Sequence, residues 1–310
     1  MKRSLLLAQI MSTPWALMPE TLNAMAGILR RWQAGGDIPE DTRQRIAADQ
    51  SVRVLRQQAN GAAGGSLIAV LPLYGIITQR GNMVDAVSGP GSCSTQIFAA
   101  ALGDALADPA VEQILIDIDS PGGSVYGVEE LATQILVARG QKPVIAVANS
   151  LAASAAYWIG SAASEFYCTP GGEVGSIGVW QAHEDLSGAL LYEGIDVTLI
   201  SAGKYKVEGN PYEPLTEEAT AFLQSRVDEY YSAFVAAVAQ ARGVPADAVT
   251  QGMGQGRVVG ATVAQSLNMI DGVMTFDQVV EMMQEKSRSR ASGNSRGSRL
   301  AQARNALALM

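Results

Sequence analysis

Between Leu67 and Ser164 the hydrophobic pattern repeats one theme: a short apolar, β-branched run, a turn rich in Gly, Pro or Asp, then a stretch whose apolar positions return at helical spacing. LIAVLPLYGII (67–77), EQILIDIDS (112–120) and KPVIAVANS (142–150) read as strands, whereas QIFAAALGDALAD (96–108) and YGVEELATQILVARG (126–140) read as helices. Strands alternating with helices predict an α/β fold with a mostly parallel sheet and crossover helices. EFYCTPGGEVGSIGV (165–179) reads as short strands and Gly turns, and IDVTLIS (195–201) as a further strand. A long helix follows over 216–243, opened by a Thr-x-Glu cap and closed at Gly243.

The ends differ from this middle. WALMPETLNAMAGILRRW (15–32) suggests an amphipathic helix and QANGAAGGS (58–66) a polar linker, so residues 1–65 are expected to form a small helical N-terminal appendage ahead of a domain spanning 66–285. The formal net charge of −8 is unevenly spread: after Glu285 there are six basic residues and no acidic ones, which leaves −14 on residues 1–285. Residues 286–310, rich in Ser, Gly and Arg, lack a core pattern and read as a flexible, disordered basic tail. Such a tail suits a solvated linker better than a nucleic-acid arm.

Composition excludes some classes. With 48% hydrophobic residues the chain can bury a sizeable core, but no stretch approaches the roughly 18 uninterrupted apolar residues of a membrane span. The opening MKRSLLLAQ resembles a secretory signal, yet Gln9, Ser12, Thr13 and Pro14 break its apolar run early, which favours a cytoplasmic protein without a membrane anchor. Cys93 and Cys168 have neither CxxC nor metal-ligand spacing, so no metal or other cofactor is expected.

Candidate chemistry gathers where strands end. In DSPGGSV (119–125) a Gly-rich turn follows a strand and precedes a helix, at the sheet edge where ligands bind in such folds. Its spacing fits neither GxGxxG nor GxxxxGK[ST], which leaves an oxyanion hole or a simple tight turn. In ANSLAASAAYWIGSAAS (148–164) the helix is expected to begin near Ala152, with Ser154 in its first turn among small neighbours and Ser150 placed to cap it. A serine nucleophile needs a base. His183, the one histidine, reads as a surface residue at a helix start, whereas Lys204 and Lys206 follow IDVTLIS and could return an amine to the sheet edge. To work near neutral pH such an amine must lose about 3 pK units, roughly 4 kcal/mol, by burial.

DSPGGS, AASAAYW, GSIGV and a lysine ahead of Pro-x-x-x-Leu-Thr-Glu-Glu, in that order, resemble the signal peptide peptidase A family of serine peptidases, over roughly residues 66–285. The resemblance implies a Clp-protease/crotonase-like fold and a Ser–Lys dyad, with Ser154 as nucleophile and Lys206 as general base in preference to Lys204. It further implies that Ser176 orients the amine and that the Gly123 and Ala155 amides form the oxyanion hole. Many relatives carry Gly-Gly after the serine where this chain has Ala155 and Ala156. The leading segment 14–29 resembles that of the phage and prophage capsid-associated branch, which implies peptide or protein substrates such as scaffold or capsid proteins, action in the host cytoplasm or within a procapsid, and homo-oligomeric rings. No nucleic acid is required. The rival readings are an inactive scaffold or assembly protein and a crotonase-type acyl-CoA enzyme, which shares the oxyanion hole but needs no Ser–Lys pair.

Overall fold

The computed structural model describes residues 13–33, 53–56, 67–80 and 92–289 of the 310-residue chain. In chain order the first elements are β1 (Trp15–Leu17), α1 (Pro19–Gln33), β2 (Arg53–Arg56), β3 (Leu67–Tyr74), β4 (Ile76–Thr78), β5 (Ser92–Ser94), α2 (Thr95–Ala107), β6 (Val111–Ser120) and β7 (Gly122–Ser124). There follow α3 (Val128–Ala138), β8 (Val144–Ala153), α4 (Ala155–Ser161), β9 (Glu165–Cys168), β10 (Glu173–Gly175), α5 (Ser187–Tyr192) and α6 (Glu217–Arg242). The last are β11 (Val258–Gly260), α7 (Ala261–Ser266), β12 (Gly272–Val273) and a helix α8 over 276–289.

β3, β6 and β8 form the parallel centre of the larger sheet, ordered β11-β10-β8-β6-β3-β2. β8 is long enough to serve two further parallel neighbours, β9 along its first half and β10 along its end. Only β2 and β11 run antiparallel, at the edges of that path. The expected mixed α/β fold with a mostly parallel sheet is therefore observed.

Near-continuous apolar runs such as ILIDI in β6 are what a sheet covered on both faces requires. Ile114, Ile116 and Ile118 of β6 share a cluster with Phe98 and Leu102 of α2, Leu131 and Ile135 of α3, Trp158 of α4 and Phe234 of α6. Alternate residues, Leu115 of β6 and Ile145 and Val147 of β8, face the other way and pack on Val279 and Met283 of α8. Trp158 stacks on Phe234 with ring centroids 4.6 Å apart, which locks the short helix α4 against the long helix α6. The caps of α6 are those its sequence predicts: Thr216 Oγ1 accepts from the Ala219 N–H, and Gly243 closes the helix at φ 65°.

Three expectations are corrected. Trp15–Leu17 is a strand, not the start of a helix, and it pairs with β7 in a second sheet ordered β1-β7-β4-β5, so this part of the N-terminal segment is built into the body. The helix begins only at Pro19, as suits a proline at a first helical position. Residues 195–201 take no regular structure despite their alternation, because a strand needs a second strand to satisfy its N–H and C=O groups and none lies beside them within the described chain. Finally, α8 runs past the boundary expected at 286: Lys286 Nζ lies 2.6 Å from Glu165 Oε1, and buried Ser287 accepts from Gln113 Nε2 at 2.6 Å. The linker at 58–66 and the tail from 290 onward lie outside the described residues.

Candidate active site

β8 ends at Ala153 and α4 starts at Ala155, so one residue, Ser154, makes the whole strand-to-helix corner. Strand structure continues further than the sequence suggested, through Ser150, which therefore caps nothing; its hydroxyl instead hydrogen-bonds Asp119. Burial raises the Asp119 carboxyl above its ordinary range, and the bond to Ser150 partly offsets that. At the corner itself Ser154 has φ 57° and ψ −117°, a left-handed backbone that costs a non-glycine residue about 1–3 kcal/mol. Surrounding contacts hold it there: Ser154 N–H donates to the Gly175 carbonyl at 2.6 Å, and its own carbonyl accepts from Trp158 N–H at 2.9 Å. The side chain does not cap α4. Its Oγ makes one long contact, 3.5 Å, to the Gly178 carbonyl, and the residue is 1% exposed. Ala152, Ala153, Ala155 and Ala156, all buried, surround it with little bulk.

Strand registers bring the other candidates to this corner. Ser120 at the end of β6 pairs with Ala152, which delivers the Pro-Gly-Gly turn and β7 to the end of β8. A Cβ added to Gly122 would lie 3.0 Å from the Ser154 Cβ, and one added to Gly123 would lie 1.9 Å from the Ile77 carbonyl oxygen, so this close approach needs both glycines. The Ala155 N–H belongs to the first turn of α4, where a helix supplies no acceptor of its own. On the opposite side, Gly175 of β10 pairs with Ala153, which sets Ser176 beside Ser154 at the same end of the sheet. Ser176 is 9% exposed, has φ 55°, and donates its N–H to the Arg257 carbonyl at 2.8 Å.

Ser154, Ser176, Gly123 and Ala155 thus meet at one end of the sheet. Lys206 does not join them within the single chain: it is exposed in a turn-rich stretch, and no hydrogen bond among the described residues links it to either serine. Lys204 is committed elsewhere, to Glu218 Oε1 at 2.8 Å and to the Tyr205 hydroxyl at 2.8 Å; the Glu218 carboxylate beside it raises its pKa above the ordinary lysine range. His183 Nε2 lies 3.0 Å from the Asn210 carbonyl oxygen, and no hydrogen bond among the described residues links it to either serine.

Two contributors escaped sequence reading. Ser120 Oγ donates to the Gly75 carbonyl at 2.6 Å and accepts from Gly122 N–H at 3.2 Å, fixing the glycine turn; its position just before Pro-Gly-Gly was the available signal. Trp180, after the GSIGV stretch, exchanges backbone hydrogen bonds with Trp15 of β1 and so closes the far side of the cleft. Nothing local in the sequence marks that pairing.

Comparisons with known proteins point to a peptidase family. The model of Peptidase family S49 matches residues 137–290, a span that contains Ser154, Ser176 and Lys206. Head-tail preconnector protein GP5 of Enterobacteria phage P21 is 40% identical over 59% of this chain and 36% of its own length. Capsid assembly protease C of Escherichia phage lambda is 39% identical over 59% of this chain and 41% of its own length, so the chain spans well under half of either phage relative. A Methanocaldococcus jannaschii protein with a protease name is 30% identical over 72% of this chain and 71% of its own. With the serine corner inside the matched span and the archaeal relative alike over most of both chains, this chain belongs to peptidase family S49.

Proposed function

We propose that the chain is a serine peptidase that hydrolyses peptide bonds by Ser–Lys acyl transfer and acts on phage head proteins during procapsid assembly. The observation that carries the peptidase reading is the strained corner at Ser154, whose hydroxyl is spared from helix capping and sits beside the Gly123 turn and the first amide of α4. Ser154 Oγ attacks the scissile carbonyl carbon while the Lys206 amine takes its proton. The Gly123 and Ala155 amides hold the oxyanion, each such donor being worth about 10²–10³ in rate. Lys206 then gives the proton to the leaving amine, and water hydrolyses the ester by the same steps. Ser176 orients the amine. Lys204, held as an ammonium by Glu218, is the poorer base.

The head-assembly context draws on the names of the two phage relatives. Completion of the site by self-association draws on exposure: every residue from Leu191 to Lys206 is exposed, which leaves that run accessible to the serine corner of a neighbouring copy.

The test is labelling with a fluorophosphonate probe together with casein cleavage. Wild type should be labelled and active, and Ser154→Ala neither. Lys206→Arg should be inactive because a guanidinium stays protonated, and Lys204→Met should remain active. Equal casein cleavage by wild type and Ser154→Ala would overturn the reading, and acyl-CoA turnover without serine labelling would favour the crotonase-type alternative.

A further inference from the structure

The cleft beside Ser154 already holds a peptide, and that peptide is the chain's own segment Thr13–Met18. β1 lies antiparallel to the glycine strand β7, with Trp15 opposite Ser124, Ala16 opposite Gly123 and Leu17 opposite Gly122. Val125 N–H donates to the Pro14 carbonyl at 3.3 Å, and Met18 N–H donates to the Pro121 carbonyl at 3.1 Å. The other edge of β1 is paired too. Trp15 N–H donates to the Trp180 carbonyl at 2.8 Å, Trp180 N–H returns a bond to the Trp15 carbonyl at 3.0 Å, and Trp180 Nε1 donates to the Leu17 carbonyl at 2.8 Å. A strand bonded along both edges, with Trp15, Ala16 and Leu17 at most 2% exposed, is held as a protease cleft holds an extended substrate.

Register identifies the bond presented. In an antiparallel ladder hydrogen-bonded and non-bonded pairs alternate. The Pro14/Val125 and Met18/Pro121 pairs are bonded, so the Ala16/Gly123 pair between them is bonded as well, and the Gly123 amide donates to the Ala16 carbonyl. That amide is one of the two assigned to the oxyanion hole. The Ala16 oxygen also lies close to the nucleophile, because a Cβ built on Gly122 would be 2.3 Å from it and 3.0 Å from the Ser154 Cβ.

We propose that the Ala16–Leu17 peptide bond is a cleavage site of this chain's own serine corner, cut when a base reaches Ser154. The inference rests on the peptidase reading above and adds its substrate: an extended strand with a small residue before the cut and large apolar residues on either side. Ser154 Oγ adds to the Ala16 carbonyl carbon and its proton passes to the Lys206 amine. The C–N bond to Leu17 breaks and the Leu17 nitrogen takes that proton. Water then hydrolyses the Ala16 ester, freeing Ser154 and leaving an Ala16 carboxylate. The body begins at Leu17, and the cleft is open on the side that Trp15 filled.

Intact-mass spectrometry and N-terminal sequencing of the full purified chain test this, with fluorophosphonate labelling run alongside. Wild type should have lost residues 1–16 and start at Leu17, whereas Ser154→Ala should keep them. Leu17→Pro turns the bond into a tertiary amide at a position whose N–H bonds neither wall, and Ala16 is already extended as a residue before proline must be. It should keep residues 1–16 while melting within about 2 °C of Ser154→Ala. A wild-type chain that is labelled and cuts casein yet keeps residues 1–16, or is trimmed at another bond, overturns the proposal and leaves the peptidase reading intact. A chain that is neither labelled nor trimmed overturns both.

Discussion

At the scale of single residues, the site is a place where backbone comfort has been given up. Ser154 and Ser176 both hold left-handed φ values, 57° and 55°, on neighbouring strand ends. Glycine adopts such angles freely, so Ser154→Gly should relieve strain that Ser154→Ala retains. Both variants should be inactive, and the glycine variant should be more stable by about 1 kcal/mol, read as a melting temperature about 2 °C higher. The two cysteines show the opposite case, groups kept out of chemistry. Burial pushes the Cys93 and Cys168 thiols up to about 12, so at pH 8 neither is a thiolate to any useful extent. The native chain should release no colour from a disulfide reagent at that pH, and the unfolded chain should react at both positions; fast reaction of native protein would contradict the packing described.

Among the elements, β7 does the most with the fewest atoms. Gly123→Ala would drive a methyl to 1.9 Å from the Ile77 carbonyl oxygen, so backbone has to move and the amide aimed at the oxyanion moves with it. We expect a loss of stability of about 2–3 kcal/mol and a fall in casein cleavage of at least a hundredfold, measured by thermal melting and by steady-state rates. The elements built by local rules were legible beforehand: the parallel strands from their apolar runs, α6 from Thr216 and Gly243, and the glycine turn from DSPGGS. The serine corner was legible in place but not in form, since alanine-rich sequence suits strand and helix alike, and only the pairing of Ala153 with Gly175 decides where β8 stops. Hidden altogether was β1. WAL reads as helix next to PETLNAMAG, and what makes it a strand is contact with Ser124 and Trp180, residues far along the chain. Long-range pairing of this sort leaves no local periodicity to read.

For the whole molecule the decisive feature is what stays uncovered. Leu191, Tyr192 and Ile200 are 74%, 94% and 95% exposed, and Ile195, Val197 and Leu199 alternate along a segment without a ladder partner in the described chain. Light scattering should show mass above one chain at micromolar concentration, and Ile200→Asp should shift it towards the monomer. The same run can also serve as a meter of crowding for a foreign enzyme. Lys204 and Lys206 offer trypsin an exposed, turn-rich target in a lone chain, and Tyr192, the exposed last residue of α5, offers chymotrypsin another. If copies cover one another there, the time needed to nick the chain lengthens as its concentration rises, and dilution restores the sensitivity within minutes. A half-life that does not change with concentration would mean that this stretch stays open to solvent whatever the chain assembles into.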